Sequence, residues 1–436
     1  MNASSLHFDV LIAGAGPAGL SAAQVAAAQG ARVGIIDDNP LPGGQIWRQG
    51  PGHPPAGPAR ALLQALSSQP NVTLYRGTRV VQALAGPRLL AEDARQSLAL
   101  SGDRLIIATG ARERFLPFPG WTLPGVTGAG GLQALVKGGV PVSGQRIIVA
   151  GSGPLLWAAA ATARAHGARI AAIVEQAPSH AVARFASGLA RTPGKLAQAI
   201  RLRLGLWRTP YWRGAWVTAA HGETALDHVT IRRGNGSIDV SCDRLACGFG
   251  LLPNTRLAAA LGCELVRHAG DPAVGVDAWQ ATSAEQIFAA GECTGVGGME
   301  LSAIEGRIAA HAALGRREDA RALFSTRDRY RGFAARLHAA FVLDPALRTL
   351  AAPDTVFCRC EDAAYRDVAA HTSWRSAKLQ TRCGMGPCQG RICGGAAAFC
   401  FGWGPDDAGQ QPSPRAPLSP TRIATLMRST DEQGQA

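Results

Sequence analysis

The sequence predicts an α/β fold with two nested Rossmann-like dinucleotide-binding domains and a small α-rich C-terminal domain. Three observations support this prediction. A strand, glycine-rich turn, helix and strand open the chain at residues 8–37, the same pattern returns at residues 146–175, and six of the ten cysteines lie after residue 357. Repeated units of this kind form parallel sheets covered by helices. The second unit interrupts the first, whose last segments follow residue 250.

The first unit has the features of a dinucleotide-binding turn. Gly14, Gly16 and Gly19 show the spacing G-x-G-x-x-G between a short apolar run and an Ala-rich helix. These glycines permit the tight turn, the approach of a pyrophosphate and the close packing of helix on strand. Asp37 ends the next strand, 18 residues after Gly19, where a carboxylate accepts both ribose hydroxyls.

Three later segments are expected to complete this site. Glycines let the backbone lie against a cofactor, while a carboxylate at the end of a strand accepts hydrogen bonds from a ribityl chain, as found in FAD. The predicted residues are Gly43, Gly44, Gln45, Thr109, Gly110, Gly291 and Glu292.

The second unit departs from the pattern at one position. Gly151 and Gly153 match the first two glycines, and Glu175 ends the next strand, but Leu156 stands where the third glycine belongs. We expect its side chain to hold the helix away from the strand. Glu175 favours a free ribose 2′-hydroxyl over a 2′-phosphate. NAD, another adenine nucleotide and an empty fold all remain open for this unit.

The C-terminal cysteines predict a metal or cluster site. Cys358 and Cys360 form C-x-C, and Cys388 and Cys393 form C-x4-C after a Gly-rich turn. Two close pairs of thiolates suit a four-cysteine 2Fe–2S cluster, although four thiolates also suit zinc. Cys383 is an alternative to Cys388 or Cys393 as a ligand.

Charge and length narrow the functional class. The 436-residue chain carries a net charge of +13. No acidic residue lies between Glu175 and Glu223, whereas seven basic residues and several aromatic ones do. The alternatives are a solvated face, a surface on which an acidic partner subunit docks, or at most a peripheral membrane contact. Nucleic-acid binding is not expected, because no recognition module accompanies the charge.

The start of the chain and its hydropathy predict the location. The start MNASSLHFDV has no basic region before an apolar one, and no run reaches the ~18 apolar residues of a membrane span. We therefore expect a cytoplasmic protein, at most on the inner face of the membrane.

The domain prediction follows from these segments. It comprises a first part of the FAD-binding domain (1–125), an inserted NAD-type domain (126–250), a return segment (251–345), a 2Fe–2S domain (353–403) and a Pro/Gln-rich, disordered tail (404–436).

A series of motifs resembles a known family. They are GAGPAGLSAA, PGGQI, ATGARER, GWTLPGV, GSGPLL, GFGLLPNT, AAGECTGVGG and TRCGMGPCQGRICG, in this order. Together they resemble the FAD-containing α (A) subunits of bacterial heteromeric amine dehydrogenases. That group includes the A subunit of opine oxidase, the D-hydroxyproline dehydrogenase α subunit, dye-linked proline dehydrogenase and the B subunit of hydrogen cyanide synthase. The resemblance covers nearly the whole chain except the basic segment and the tail.

The resemblance implies a fold and a division of labour. It implies an FAD/NAD(P)-binding disulfide-reductase-like fold with a bacterioferritin-associated-ferredoxin-like 2Fe–2S domain, in which Cys358, Cys360, Cys388 and Cys393 match the ligand positions. A separate FAD-containing β subunit of the D-amino-acid-oxidase type would oxidise the amine, in some members beside a small third subunit. Electrons would pass through the cluster and the α-subunit FAD to an acceptor. A redox cysteine pair near the flavin is not supported, because no cysteine precedes Cys242.

Three functions follow for testing. The first is the electron-transferring subunit of a dehydrogenase for a D-amino acid such as hydroxyproline, or for an opine. The second is a self-contained NADH-dependent FAD/Fe–S reductase, against which Leu156 argues. The third is a non-catalytic scaffold. No general base is predicted, because the cofactors carry the chemistry.

Overall fold

The computed structural model describes residues 6–55, 57–403 and 415–433. The chain divides into two compact units. Unit 1 comprises residues 1–112, 252–334 and 412–436, and unit 2 comprises residues 113–251 and 335–411. The predicted nesting of a second domain within the first is therefore present, with crossings at residues 112 and 252 rather than at 125 and 250.

The strands of the described residues include long parallel strands and short hairpins. In chain order they are β1 (Leu6–Ala13), β2 (Val33–Asp37), β3 (Val72–Arg76), β4 (Arg79–Ala83), β5 (Arg88–Glu92), β6 (Ser97–Ile107), β7 (Ala111–Glu113), β8 (Val126–Gly128), β9 (Arg146–Gly151), β10 (Arg169–Glu175), β11 (Tyr211–Arg213), β12 (Ala215–His221), β13 (His228–Arg233), β14 (Gly236–Ser241), β15 (Arg244–Gly248), β16 (Leu251–Pro253), β17 (Leu265–His268), β18 (Asp271–Val274), β19 (Ile287–Ala289), β20 (Val356–Cys358) and β21 (Ala363–Ala364).

The helices range from single turns to 17 residues. They are α1 (Pro17–Ala28), α2 (Gly57–Ser67), α3 (Ala129–Lys137), α4 (Leu155–Ala165), α5 (Ser179–Gly188), α6 (Pro193–Gly205), α7 (Arg256–Ala260), α8 (Met299–Ala313), α9 (Arg317–Ala322), α10 (Phe324–Ala340), α11 (Tyr365–Ala369), α12 (Trp374–Thr381), α13 (Cys393–Phe401) and α14 (Ile423–Gln433), with 3-10 helices at Leu189–Arg191 and Pro345–Thr349.

Unit 1 is built on a seven-stranded sheet in the order β3-β2-β1-β6-β5-β4, with β19 also paired to β6. The strands β1, β2, β3, β6 and β19 pair in parallel, whereas β4 and β5 form an antiparallel extension. Because β6 has 11 residues, its first half pairs with β5 and its last residues pair with β19. The carboxyl ends of β1, β2, β6 and β19 therefore meet at one edge of the sheet, where ligands bind in folds of this type.

Two helices pack closely over this sheet. A Cβ atom on Gly306 of α8 would lie 2.1 Å from the carbonyl oxygen of Ala18 in α1, so only a glycine lets the two helices approach so closely. The buried side chains of β1, β2 and α1 form the core beneath them. This contact brings the return segment, which contains α8, to the glycine-rich turn that precedes α1.

Part of the tail that the sequence predicts to be disordered contains a helix with contacts to β5. Residues 415–433 end in α14, and Glu92 of β5 accepts hydrogen bonds from the Thr425 hydroxyl (2.7 Å) and the Arg422 backbone (3.3 Å). The Leu418 side chain is buried against the core of unit 1. Polar composition alone failed to reveal these tertiary partners. Residues 404–414 and 434–436 lie outside the described residues.

Unit 2 contains a five-stranded parallel sheet in the order β11-β10-β9-β15-β8 and a separate antiparallel sheet, β12-β13-β14. The order β10-β9-β15 repeats the order β2-β1-β6 of unit 1, as expected for a duplicated supersecondary unit. Leu156, at the position of the third glycine, is fully buried in a core that includes Ile147 and Val149 of β9.

The C-terminal part of unit 2 is a small α-rich region with its own core. Phe357, Val368 and the buried sulfurs of three cysteines pack with the rings of Tyr365 and Trp374. Residues 341–344, the connector, precede this region and follow α10. The structure places residues 335–345 in unit 2, whereas the sequence assigned them to the return segment of the first domain.

The predicted fold class, α/β with two nested Rossmann-like domains and a small α-rich C-terminal domain, is confirmed. Within the described residues, we find no helix with the length and apolar character that a bilayer crossing demands.

Candidate functional site

The first glycine-rich turn lies at the carboxyl end of β1. A Cβ atom on Gly14, whose φ is +115°, would lie 2.2 Å from the carbonyl oxygen of Ala108, and one on Gly19 would lie 1.8 Å from the carbonyl oxygen of Gly14. Both positions therefore exclude any side chain. The turn is as compact as the sequence predicts.

The start of α1 offers free hydrogen-bond donors. Gly16 is its N-cap residue and Pro17 its first residue, and in the described part of the chain no side chain caps this end. An uncapped helix start presents N–H groups and a positive dipole end, which suits a pyrophosphate. Gly44 stands opposite, with a space of 3.9 Å from its Cα to a Cβ built on Gly16. These glycines form a cradle free of side chains.

Asp37 lies beside this cradle and accepts hydrogen bonds from the backbone on both of its sides. Its Oδ2 atom accepts a hydrogen bond from the Ala15 amide (2.6 Å), and its Oδ1 atom accepts from the Asn39 amide (2.7 Å) and side chain (2.8 Å). Arg48 donates to both Asn39 (3.0 Å) and Gln45 (2.9 Å). A polar chain thus runs from the acid to the loop that carries Gly43, Gly44 and Gln45.

Thr109 and Gly110 are fixed at the end of β6 by Asn254. The Thr109 hydroxyl donates to the Asn254 carbonyl, and the Asn254 side-chain amide donates to the Thr109 carbonyl, both at 2.9 Å. The backbone amide of Asn254 also donates to the Gly110 carbonyl at 2.9 Å. Three hydrogen bonds therefore set the backbone where the sequence predicts a cofactor contact.

The return segment brings Gly291 and Glu292 to the same edge. A Cβ atom on Gly291 would lie 2.8 Å from the Cβ of Ala18 in α1. Glu292 is partly buried, and burial raises its pKa while a hydrogen bond from the Gly298 amide opposes that rise. Below Gly291, the buried carboxylate of Glu305 accepts hydrogen bonds from the Gly291 amide (3.2 Å) and from Arg331 (3.3 Å).

The second glycine-rich turn also has a buried acid at its edge. Glu175 is 1% exposed and accepts hydrogen bonds from the amides of Gly153 (2.8 Å) and Ala177 (2.9 Å). Burial raises its pKa to about 7. A Cβ atom on Gly151 would lie 1.9 Å from the carbonyl oxygen of Gly248, so this turn is as tight as the first. The predicted residues Gly151, Gly153 and Glu175 therefore lie together.

The C-terminal region brings five cysteines together. The sulfurs of Cys358, Cys383 and Cys393 are buried and lie within 4.8 Å of one another, with 3.8 Å between Cys358 and Cys393. Cys360 and Cys388 are more exposed and hydrogen-bond with each other. The sulfurs thus form a buried trio and an outer pair.

The chemistry of these sulfurs suits a cluster or metal ion. Hydrogen bonds from Cys383 and Cys393, with further ones from the Gly384 and Cys360 amides, hold the pKa of Cys358 below its usual range. The contact with Cys358 raises the pKa of those two donor thiols. The thiolate is the form that binds metals. Gly386 allows the close approach, because a Cβ there would lie 2.3 Å from the Cβ of Cys360. The residues present therefore fit a thiolate-ligated group.

The basic segment forms an exposed surface of unit 2. Helix α6 turns Ile200 and Leu204 outward, and Trp207 follows them with 60% of its surface exposed. Ile200 and Leu204 lie one turn apart on α6, and Trp207 lies just beyond the end of this helix. Arg201 and Arg208 are exposed beside them. Large exposed apolar patches rimmed by charge are typical of interaction surfaces.

Sequence reasoning missed several residues of these sites. Arg48 and Glu305 contact predicted residues but belong to no motif that the sequence analysis used. Asn254 lies in the motif GFGLLPNT but was not singled out as a site residue. Glu305 could have been found from its position in the apolar helix α8. A carboxylate is rarely buried without a partner, so an acid in such a helix indicates a specific contact.

Known proteins share this architecture. The family model described as pyridine nucleotide-disulphide oxidoreductase matches residues 8–313. The A subunit of opine oxidase from Rhizobium meliloti is 32% identical over 89% of this chain and 90% of that protein. Hydrogen cyanide synthase subunit HcnB of Pseudomonas protegens is 30% identical over 99% of this chain and 100% of that protein. Both relatives are named as subunits of larger enzymes.

Solved structures support the fold. The L-proline dehydrogenase of P. horikoshii has a TM-score of 0.70 at 17% identity and covers 98% of this chain and 80% of that chain. The thioredoxin reductase of T. acidophilum has a TM-score of 0.52 at 21% identity and covers 72% of this chain and 98% of that one. The family match, the extended relatives and the glycine cradle agree, and the chain is thus an FAD-dependent oxidoreductase of the pyridine nucleotide-disulphide oxidoreductase family, in the group that includes HcnB and the A subunit of opine oxidase.

Proposed function

We propose that this chain is the FAD- and 2Fe–2S-carrying electron-transfer subunit of a heteromeric dehydrogenase. The complex oxidises an amino acid or secondary amine, such as D-hydroxyproline, another D-amino acid or an opine. The substrate site is on a partner FAD-containing β subunit of the D-amino-acid-oxidase type, with a small third subunit in some such complexes. The observation that carries the proposal is the five-cysteine region behind an FAD-type fold, in a chain related to named subunits of larger enzymes.

The residues of unit 1 bind and orient FAD in this proposal. Gly14, Gly16 and Gly19 leave room for the pyrophosphate at the start of α1, and Asp37 accepts hydrogen bonds from the ribose. The lining is completed by Gly43, Gly44, Gln45, Thr109, Gly110, Gly291 and Glu292. Their support is the uncapped helix start and the side-chain-free cradle.

The cluster ligands are Cys358, Cys360, Cys388 and Cys393. A 2Fe–2S cluster takes two thiolates on each of two irons. Cys358 and Cys393 lie 3.8 Å apart as one such pair, and Cys360 and Cys388 form the other by their mutual hydrogen bond. Cys383 is then a fifth, buried sulfur beside the cluster. Zinc, the competing group, also binds four thiolates, which structural zinc sites commonly supply as two pairs. The metal content of the protein therefore decides between the two groups.

Bound FAD and the cluster supply electron-carrying chemistry, and the protein supplies position. Asn254 fixes the backbone at Thr109 and Gly110 by three hydrogen bonds. Glu305 accepts a hydrogen bond from the Gly291 amide and is itself paired with Arg331. Glu292 lies at the same edge, where burial raises the pKa of its carboxyl and a hydrogen bond from the Gly298 amide opposes that rise.

The test is an anaerobic titration of the purified complex, followed by flavin absorbance. Amine substrate added to the chain co-expressed with its partner should bleach the flavin bands, whereas NADH added to the chain alone should not. Iron and acid-labile sulfide should be present in equal amounts, and zinc should not replace them.

Two outcomes contradict the proposal. Bleaching by NADH in the isolated chain establishes the self-contained NADH-dependent reductase instead. Protein without flavin, when expressed with its partners, leaves only a scaffold. A Gly19→Ala variant of the complex serves as the control, because amine should still reduce the partner's flavin while reduction of an external dye is lost.

A further inference from the structure

The two glycine-rich turns of this chain provide an internal comparison. In unit 1, the segment that faces the turn is the glycine pair Gly43-Gly44, tied to the turn by a backbone hydrogen bond from Gly43 to Ala15 of 2.7 Å. A Cβ atom on Gly16 finds only the Cα of Gly44, at 3.9 Å. Small residues on both sides therefore leave space for a pyrophosphate.

In unit 2, the segment that faces the corresponding turn is the connector, and it begins with an aromatic residue. A Cβ atom on Gly153 would lie 3.7 Å from the ring of Phe341, and the Ser152 hydroxyl donates to the Phe341 carbonyl at 3.2 Å. The Phe341 ring also packs edge-on against Phe185 of α5, with 5.2 Å between ring centroids. An aromatic side chain therefore lies against this turn, whereas glycines lie against the turn in unit 1.

The residue after the terminal acid differs in the same way. In unit 1 this residue is Asp38, which is exposed and pairs with Arg79. In unit 2 it is Gln176, which is 2% exposed. Its amide group donates to Ser152 (2.9 Å) and to the Val342 carbonyl (3.1 Å), and its Oε1 atom accepts from the Asp344 amide (3.0 Å).

The side chain of Gln176 therefore binds the connector backbone as the backbone of a neighbouring strand would, because it donates to one carbonyl and accepts from one amide. Glu175 accepts hydrogen bonds from two backbone amides, as Asp37 does in unit 1. The difference between the two units at this position is therefore Gln176. Arg336, just before the connector, donates to Thr192 at 3.2 Å and adds a further anchor.

We propose that the nucleotide cradle of the inserted domain holds the chain's own connector, residues 341–344, in place of a dinucleotide. The domain thereby anchors the segment that leads into the cysteine-rich region, and NADH gains access only when the connector leaves. A connector that leaves the cradle one time in ten or less weakens the apparent affinity for NADH about tenfold or more.

The experiment measures NADH binding to the flavin-loaded chain by the fluorescence of NADH. The double variant Gln176→Ala/Phe341→Ala removes both side chains that hold the connector. Val342→Ala is the matched control, because this side chain is 70% exposed and lies in the same segment. We expect the double variant to bind NADH about tenfold more tightly than wild type or more, and the control to match wild type. Equal affinity in the double variant and wild type would overturn the proposal.

A second measurement needs no variant. The Asp344 amide, bonded to Gln176, should resist hydrogen–deuterium exchange in wild type, and millimolar NADH should leave that protection unchanged. Loss of protection on adding NADH would mean that the nucleotide is the normal occupant. Because neither measurement uses an amine or a partner subunit, the result is independent of the proposed electron-transfer function.

Discussion

The indole Nε1 atom of Trp121 donates a 2.6 Å hydrogen bond to the carbonyl oxygen of Val356, two residues before the first cysteine of the C-terminal region. Trp121 is buried, packs on Phe115 with 5.0 Å between ring centroids, and lies under the guanidinium of Arg359. Arg359 separates Cys358 from Cys360. One tryptophan thus holds the strand that carries the C-x-C pair.

Trp121→Phe should loosen this strand. The variant removes a part-buried hydrogen bond, which costs about 0.5–1.5 kcal/mol of unfolding free energy. We expect a lower midpoint of thermal unfolding and faster loss of iron during dilution, measured by a colorimetric iron assay. Trp207→Phe is the control, since that side chain is exposed. Equal iron retention in both variants would show that the hydrogen bond does not position the cysteines.

Gly19→Ala should remove most of the bound FAD. The new Cβ atom would lie 1.8 Å from the carbonyl oxygen of Gly14, so the backbone of the cradle must shift. Gly205→Ala is a matched control in a helix, because a Cβ atom there meets no atom within 4 Å. Flavin released by heating is measured per protein chain. A full complement of FAD in the Gly19 variant would show that the pyrophosphate does not bind at this turn.

Local patterns predicted the parts of the site that lie within one supersecondary unit. Gly14, Gly19 and Asp37 are separated by fewer than 25 residues, and their spacing follows from the geometry of one strand, turn and helix. The cysteine motifs are local in the same sense. These features were therefore visible in the sequence.

The remaining contacts depend on partners far away in the chain. Asn254 reaches Thr109 across 145 residues, and Gln176 reaches Val342 across 166. Neither residue belongs to a repeated pattern, so nothing in the sequence indicates the pairing. The ordered tail was missed for the same reason, because Glu92 and Thr425 meet only in the folded chain.

Two cysteine variants should show whether Cys388 or Cys383 is the fourth ligand of the cluster. We expect Cys388→Ala to lose most of the iron, because it breaks the outer pair with Cys360. Cys383→Ala should keep the cluster, since the pairs Cys358–Cys393 and Cys360–Cys388 remain. Iron and sulfide content and the electron paramagnetic resonance signal of the dithionite-reduced protein report the outcome. The reverse result would assign Cys383 as the ligand in place of Cys388.

Glu175 should make unit 2 less stable as pH rises. Burial raises its pKa from the ordinary glutamate value of 4.5 to about 7, so the folded chain holds a proton that the unfolded chain releases. The stabilisation is fully present below about pH 4.5 and is lost as pH rises through about 7, with a total change of about 3 kcal/mol. Glu175→Gln cannot lose a proton, and its stability relative to wild type should therefore increase between about pH 5 and about pH 7.5.

Urea unfolding followed by tryptophan fluorescence measures this difference, since most of the nine tryptophans lie in unit 2. At low pH the variant and wild type should differ little in stability, because protonated Glu175 and glutamine are both neutral and each has one carbonyl oxygen for the amides of Gly153 and Ala177. Glu223→Gln, at an exposed position of the same unit, is the control. If the difference between Glu175→Gln and wild type does not change with pH, Glu175 carries its charge throughout this range and the amides of Gly153 and Ala177 outweigh its burial.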